Sequence, residues 1–175
     1  MSITVVVGNP RAHSRTSAAA RTAARAVAAE VGTAGEADVI ELAELAPVLL
    51  QPGERHPDAA HALERVLAAR VLVVASPTYK ATYTGLLKVF LDQIGTGGLA
   101  GTVALPLLVV GSPAHTLAVE VHLRPLLVEL GALVPSPGLA LPESDLPRVA
   151  AIAEEWAAAV APAVRTALHQ GAITR

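Results

Sequence analysis

Val5-Val6-Val7-Gly8-Asn9-Pro10-Arg11-Ala12-His13-Ser14-Arg15-Thr16-Ser17 decides the architecture of this chain. An apolar, β-branched run stops at a glycine, passes through small polar residues and one arginine, and gives way to an alanine-rich stretch. A buried strand, a short loop and a helix therefore follow one another. Gly8 suits a sharp turn, Pro10 stiffens it, and Ser14 and Thr16 bring hydroxyls to the helix start. Arg11 adds a forked positive charge. Unpaired helix-start N–H groups, hydroxyls and a guanidinium aimed at one point suit a phosphate group. The same residues also suit an ordinary capped helix, with Ser14 as N-cap and Arg15 in solvent. Other phosphate motifs are missing: there is neither G-x-x-x-x-G-K-[ST] nor G-x-G-x-x-G.

Working outward, further apolar runs at Val39–Leu42 (the weakest), Val71–Ala75 and Val103–Val110 join Ile3–Val7 as expected strands. Leu133–Val134, resuming near Gly138–Ala140, is the candidate fifth. Continuous rather than alternating apolar character implies strands covered on both faces, as in parallel sheets. Helical patterns fill the gaps at Arg15–Val31, Pro57–Ala69, Gly85–Ile94, Thr116–Leu130 and Leu146–His169, with a kink expected at Pro125. This alternation predicts an α/β, open, doubly wound parallel sheet with helices on both faces. The segment 43–57 reads as a loop wrapping a site edge, since Pro47, Pro52, Gly53 and Pro57 oppose a helix there.

Composition narrows the class. The 175 residues fit one domain, spanning residues 1–175, better than two. A net charge of −2 without charge blocks argues against nucleic-acid binding, and no apolar run suits a membrane span. There is no cysteine, which excludes disulfides, thiolate metal sites and a cysteine nucleophile. The histidines show no metal spacing, so no metal is expected. With no basic leader at Met1–Thr4, the cytoplasm is the expected compartment. Hydrophobic residues make up 53% of the chain, an excess that suits a homo-oligomer.

Ligands of open parallel sheets sit at the carboxyl ends of the strands, where strand order reverses. Two further loops meet that edge. Ser76-Pro77-Thr78-Tyr79-Lys80 continues through Thr82, Tyr83 and Thr84 to Gly85, and holds both tyrosines of the chain. It suits a flat heteroaromatic ring, and equally a partly buried core or interface cluster capped by Thr84. Gly111-Ser112-Pro113-Ala114-His115 follows the fourth strand. Gly111 permits close approach of a ligand, and His115 is either a ligand contact or a structural hydrogen-bond donor. Together, the first two loops make a flavin nucleotide the leading candidate ligand.

These residues resemble a known family. Gly8-Asn9-Pro10-Arg11-x-x-Ser14-Arg15-Thr16-Ser17 is similar to the phosphate loop of NAD(P)H-dependent FMN reductases. Ser76-Pro77-Thr78-Tyr79-Lys80-Ala81-x-Tyr83-x-Gly85-x-Leu87-Lys88 resembles the isoalloxazine loop of the branch that serves alkanesulfonate monooxygenases. Ala114-His115-x-Leu117-Ala118-Val119-Glu120 and Arg124-Pro125-Leu126-Leu127 continue the likeness, which spans most of residues 1–135. The resemblance implies a flavodoxin-like fold with five parallel strands in the order 2-1-3-4-5. It implies hydride transfer from NADPH or NADH to FMN, with no catalytic side chain required, and reduced flavin passing to a partner monooxygenase. It assigns Arg11, Ser14, Thr16 and Ser17 to the FMN phosphate, with Asn9 where serine is usual. Pro77, Thr78, Tyr79 and Lys80 fall to the ribityl chain and ring, and Gly111, Ser112 and His115 to the far side. Arg15 is a candidate for the 2′-phosphate of NADPH. The branch carries a tyrosine in an irregular helical turn near Val121–His122, associated with tetramer packing; His122 takes its place if that helix has a π-type bulge. A homodimer or homotetramer is the expected assembly. Rival readings are a flavin-dependent quinone, azo-dye or metal-oxyanion reductase with retained FMN, a flavodoxin-like electron carrier, and a module that binds no flavin.

Overall fold

In the computed structural model, which describes residues 3–33 and 35–171, five parallel strands form one sheet in the order β2-β1-β3-β4-β5. The strands are β1 (Ile3–Val7), β2 (Asp38–Glu41), β3 (Val71–Pro77), β4 (Val103–Val110) and β5 (Leu139–Pro142). The central strands β1, β3 and β4 are buried along their whole length, as continuous apolar runs require of strands covered on both sides. Val5 pairs with Val73, and Val73 with Leu105, so the middle of the sheet is a ladder of branched side chains.

Helices cover both faces. On one, α1 (Arg15–Val31) packs against α6 (Val149–Gly171). Both helices bury small residues: Ala19, Ala20, Ala23 and Ala24 on α1 and Ala153 and Ala157 on α6 share one apolar core with the sheet. Much of the alanine excess is therefore core, where the missing bulk lets two helices and the sheet approach closely. The other face holds α3 (Pro57–Leu67), α4 (Gly85–Leu91) and α5 (Arg124–Glu129), with Leu87, Phe90, Leu91, Leu123 and Leu127 in its apolar core.

Some elements differ from the sequence expectation. The fifth strand forms at Leu139–Pro142, while Leu133 contributes only an isolated parallel bridge to Val103. Leu133 is 40% exposed, too poorly covered for a two-residue apolar run to extend into a strand. Within 43–57, a single helical turn, α2 (Leu42–Leu45), precedes the prolines, and Arg55 ties the segment to Gln93 beyond α4. The region 116–130 is not one helix. A 3-10 turn at Pro113–His115 leads to a π-helical segment at Val119–Leu123 and then to α5, with Pro125 in its first turn. Pro125 has no N–H to give, so it stands where the winding changes from π to α. A 3-10 segment, Glu143–Arg148, connects β5 to α6.

Candidate flavin-phosphate cleft

The strand order reverses between β1 and β3, so the loops following those strands lie side by side and are stitched together. Gly8 N donates to Ala75 O at 2.7 Å, and the Thr84 hydroxyl donates to Gly8 O. The same Thr84 oxygen accepts from Leu87 N at 3.1 Å and so caps α4. Gly8 is not a turn residue after all: its φ is negative, and a Cβ there would lie 2.6 Å from Leu87 Cβ. Glycine is required because α4 crosses that close.

Asn9 shapes the first loop with both ends of its amide. Its Oδ1 accepts from Arg11 N at 2.9 Å, and its Nδ2 donates to Thr16 Oγ1 at 3.1 Å. Thr16 is buried, and with an acceptor's duty on its oxygen its hydroxyl proton stays free for a ligand. Ser14 is the N-cap of α1, accepting from Ser17 N at 3.2 Å, which also leaves its own proton unclaimed. The N–H groups of Arg15 and Thr16 begin the helix and have no carbonyl within it to serve. The Arg11 side chain is exposed and has neither a hydrogen bond nor an ion pair among the described residues.

These groups line one cleft of about 510 Å³, with Asn9, Arg11, Ser14 and Thr16 on one wall and Pro77, Tyr79 and Val109 on the other. Glu143 closes one side, where its carboxylate meets Arg15 at 3.1 Å. A groove of similar size between α1 and α6, lined by Arg25, Glu30 and Glu154 among others, lies away from the strand ends and gathers no loop donors.

The second loop is held by its own backbone. Tyr79 N and Thr82 O pair at 2.9 Å, with Lys80 and Ala81 both left-handed between them (φ 53° and 67°). Thr78 N donates to Val109 O at 2.9 Å. The N–H groups of Thr78 and Tyr79 are thus spent inside the protein, whereas Lys80 N has no acceptor among the described residues. Tyr79 is half exposed on the cleft wall. Gly111, Ser112 and His115 follow β4 but do not line this cleft. They form a separate capped turn, with Ser112 Oγ accepting from Ala114 N at 3.3 Å.

Ser17 faces elsewhere. It is buried, and its hydroxyl donates to Glu41 Oε1 at 2.8 Å. Glu41, at the end of β2, also accepts His13 N on Oε2 at 2.7 Å and lies 3.6 Å from Arg21 and 3.7 Å from the His13 ring. Burial pushes the Glu41 carboxyl up, but the Ser17 and His13 hydrogen bonds and the charges of His13 and Arg21 outweigh it and hold the group below the ordinary carboxylate value. Glu41 and Glu143 were not anticipated from the sequence. Glu41 carried one signal, a charged residue ending an otherwise apolar strand next to β1.

A family model described as NADPH-dependent FMN reductase matches residues 1–145. The chain belongs to that family. An FMN reductase (NADPH) of Pseudomonas aeruginosa is 31% identical over 135 residues, covering 74% of this chain and 73% of the relative. Its counterpart in Escherichia coli K12 is 46% identical over 69 residues, 39% of this chain. That match spans only 36% of the Escherichia coli protein's length. A solved apo NADH:FMN oxidoreductase superimposes with a TM-score of 0.75 at 32% identity, covering 99% of this chain and 89% of that one. For a member of the FMN reductase family, the fold and the strand order are as expected. No described helix is long and apolar enough to cross a membrane, and no group of three or more metal-ligating side chains is present among the described residues.

Proposed function

We propose that this chain is an NAD(P)H-dependent FMN reductase whose flavin phosphate sits in the Asn9–Thr16 loop. The observation that carries this reading is the unpaired Arg11 guanidinium, converging with the free hydroxyl protons of Ser14 and Thr16 on one cleft beside the strand-order reversal. FMN fits these residues: a phosphate dianion is an acceptor, and every unclaimed group on that wall is a donor. When bound, FMN supplies the redox chemistry, taking a hydride equivalent from NADPH or NADH. The protein's part is placement. Arg11, Ser14 and Thr16 hold the phosphate, while Asn9 keeps the loop in shape. Pro77, Thr78, Tyr79 and Lys80 face the ribityl chain and ring, with Lys80 N–H as the spare backbone donor. Gly111, Ser112 and His115, which lie outside the phosphate cleft, border the far side of the ring beyond it, and Arg15 meets the 2′-phosphate of NADPH once released from Glu143.

The π-helical segment leaves Val121 and His122 exposed, with Leu117 and Val128 exposed on the same stretch of chain. This supports a homodimer or homotetramer packed through that region, His122 taking the place of the tyrosine found in the branch. Reduced FMN then leaves for a partner monooxygenase. The test is anaerobic oxidation of NADPH and NADH with and without added FMN, on protein first inspected for a yellow colour. Oxidation by colourless protein only on addition of FMN supports a travelling flavin; no oxidation of either nucleotide with FMN present refutes the reading.

A further inference from the structure

We infer that Ser17 and the His13 N–H serve the flavin-phosphate site through Glu41 rather than by touching the phosphate, which makes Glu41 the positioning residue of the loop. The inference rests on the flavin reading above. A serine hydroxyl has one proton, and that of Ser17 goes to Glu41 Oε1 at 2.8 Å. The single N–H of His13 goes to Glu41 Oε2 at 2.7 Å. A phosphate dianion only accepts, so neither group has anything left to offer it. Turning either toward the cleft strips a donor from a buried carboxylate, which costs about as much as a new charge-assisted hydrogen bond to phosphate returns, so nothing is gained by the move.

The same two bonds fix the loop. His13 is in the left-handed conformation (φ 52°), which a non-glycine residue adopts at a cost and keeps when its surroundings demand it. From the end of β2, Glu41 reaches both the His13 N–H and the Ser17 hydroxyl in the first turn of α1, so one carboxylate ties the turn before the helix to the helix itself. The groups facing it are His13, Ser17 and Arg21. Ser14 and Thr16, which lie between these two clamped residues, are thereby aimed at the cleft.

A double-mutant cycle tests this, with FMN and riboflavin as probes and dissociation constants read from flavin fluorescence. Riboflavin lacks the phosphate, so it reports general damage. Ser17→Ala weakens FMN by about fivefold and Glu41→Ala by about tenfold or more, while riboflavin moves less than about twofold. The Ser17→Ala/Glu41→Ala protein binds FMN no more weakly than Glu41→Ala alone. Glu41→Gln, which keeps an oxygen for His13 N–H and an amide for Ser17, recovers most of the affinity. If Ser17→Ala costs the same factor with and without Glu41, Ser17 meets the phosphate directly and the inference is overturned. Native protein that does not prefer FMN to riboflavin overturns the flavin reading itself, a result distinct from additivity in the cycle. Should Glu41→Ala fail to fold, crystals of the native protein with FMN decide the matter. A Ser17 Oγ within about 3 Å of Glu41 and clear of the phosphate supports the inference, and a contact of about 3 Å to a phosphate oxygen overturns it.

Discussion

Gly8 and Leu87 pack so closely that a β-carbon on Gly8 would lie 2.6 Å from Leu87 Cβ and 3.2 Å from its Cγ. Leu87 is completely buried among Phe90, Leu91 and the sheet, so it has no empty space to move into. Gly8→Ala therefore destabilises the protein by about 1–3 kcal/mol, the usual cost of overpacking. Because Thr84 caps α4 and also holds the Gly8 carbonyl, the displacement loosens the second loop as well. Denaturant unfolding measures the loss. Adding Leu87→Ala removes Cγ and Cδ1 but keeps the β-carbon at 2.6 Å, so the double variant does not recover the loss caused by Gly8→Ala. Native stability for Gly8→Ala would show that α4 sits further out.

Arg11 carries the charge argument. Its guanidinium makes no hydrogen bond or ion pair among the described residues, so Arg11→Ala leaves the melting temperature of the flavin-free protein unchanged. In the presence of FMN the same variant loses affinity by about tenfold, the lower range for a charge-assisted hydrogen bond in a partly open site. Arg11→Lys, a point charge without the fork, lies between the two. Riboflavin binding is the same in all three proteins. Titration calorimetry reads each constant, and an FMN constant unmoved by Arg11→Ala would place the phosphate elsewhere.

The sheet was legible because its central strands are apolar on both faces, and the loop after β1 because small polar residues end the apolar run just before the helix that Ser14 caps. The fifth strand was ambiguous for a physical reason. Leu133–Val134 and Leu139–Pro142 are both short and both meet β4, and which one extends from a single bridge into a ladder depends on the finished fold. Long-range partners were also hidden. Glu41 is one acidic residue among several in the sequence, and only the pairing of β2 with β1, which sets Glu41 opposite Val7, brings it to Ser17. Gly8 looked like a turn former because glycine usually is one, whereas its role follows from a helix that arrives much later in the chain. The motif reading put Ser17 with Ser14 and Thr16, but helix geometry turns Ser17 toward β2.

Asn9 gives a prediction that separates shape from charge. Its Oδ1 holds Arg11 N, and its Nδ2 holds Thr16 Oγ1. Asn9→Asp keeps the first contact and reverses the second, since a carboxylate oxygen can only accept. The Thr16 hydroxyl must then turn its proton inward and withdraw it from the cleft, and a negative charge appears beside the phosphate loop. FMN affinity falls by about tenfold, partly restored by salt, with riboflavin unaffected. Asn9→Ser, which keeps one donor and one acceptor, has a smaller effect. Equal FMN binding by Asn9→Asp and native protein would mean that Thr16 takes no part in holding the phosphate.

Glu120 and Arg124 fasten the π-helical segment to the chain leading into β5. Arg124 donates to Glu120 Oε2 through Nε, to Val134 O at 2.6 Å and to Ser136 O, while Glu120 Oε1 accepts from Gly138 N at 2.7 Å. The hydrogen bond from Arg124 holds the Glu120 carboxyl below its ordinary value, against the opposing effect of burial and with help from Gly138 N–H. A carboxyl depressed in the folded state stabilises it wherever the unfolded group is already ionised, and that contribution fades as pH falls through the folded value. Glu120→Gln removes the charge and keeps the shape. At pH 7 it should lower the melting temperature by about 2–4 °C, corresponding to about 1 kcal/mol for a partly exposed pair in a chain of this size. The gap should narrow as pH falls below the ordinary glutamate value of about 4.3 and close only once pH has passed below the depressed folded value, where protonation does to Glu120 what the substitution does. Melting curves across that range decide it: a gap that keeps its width into acid means the side chain acts by shape alone, and the π-helical segment owes nothing to the ion pair.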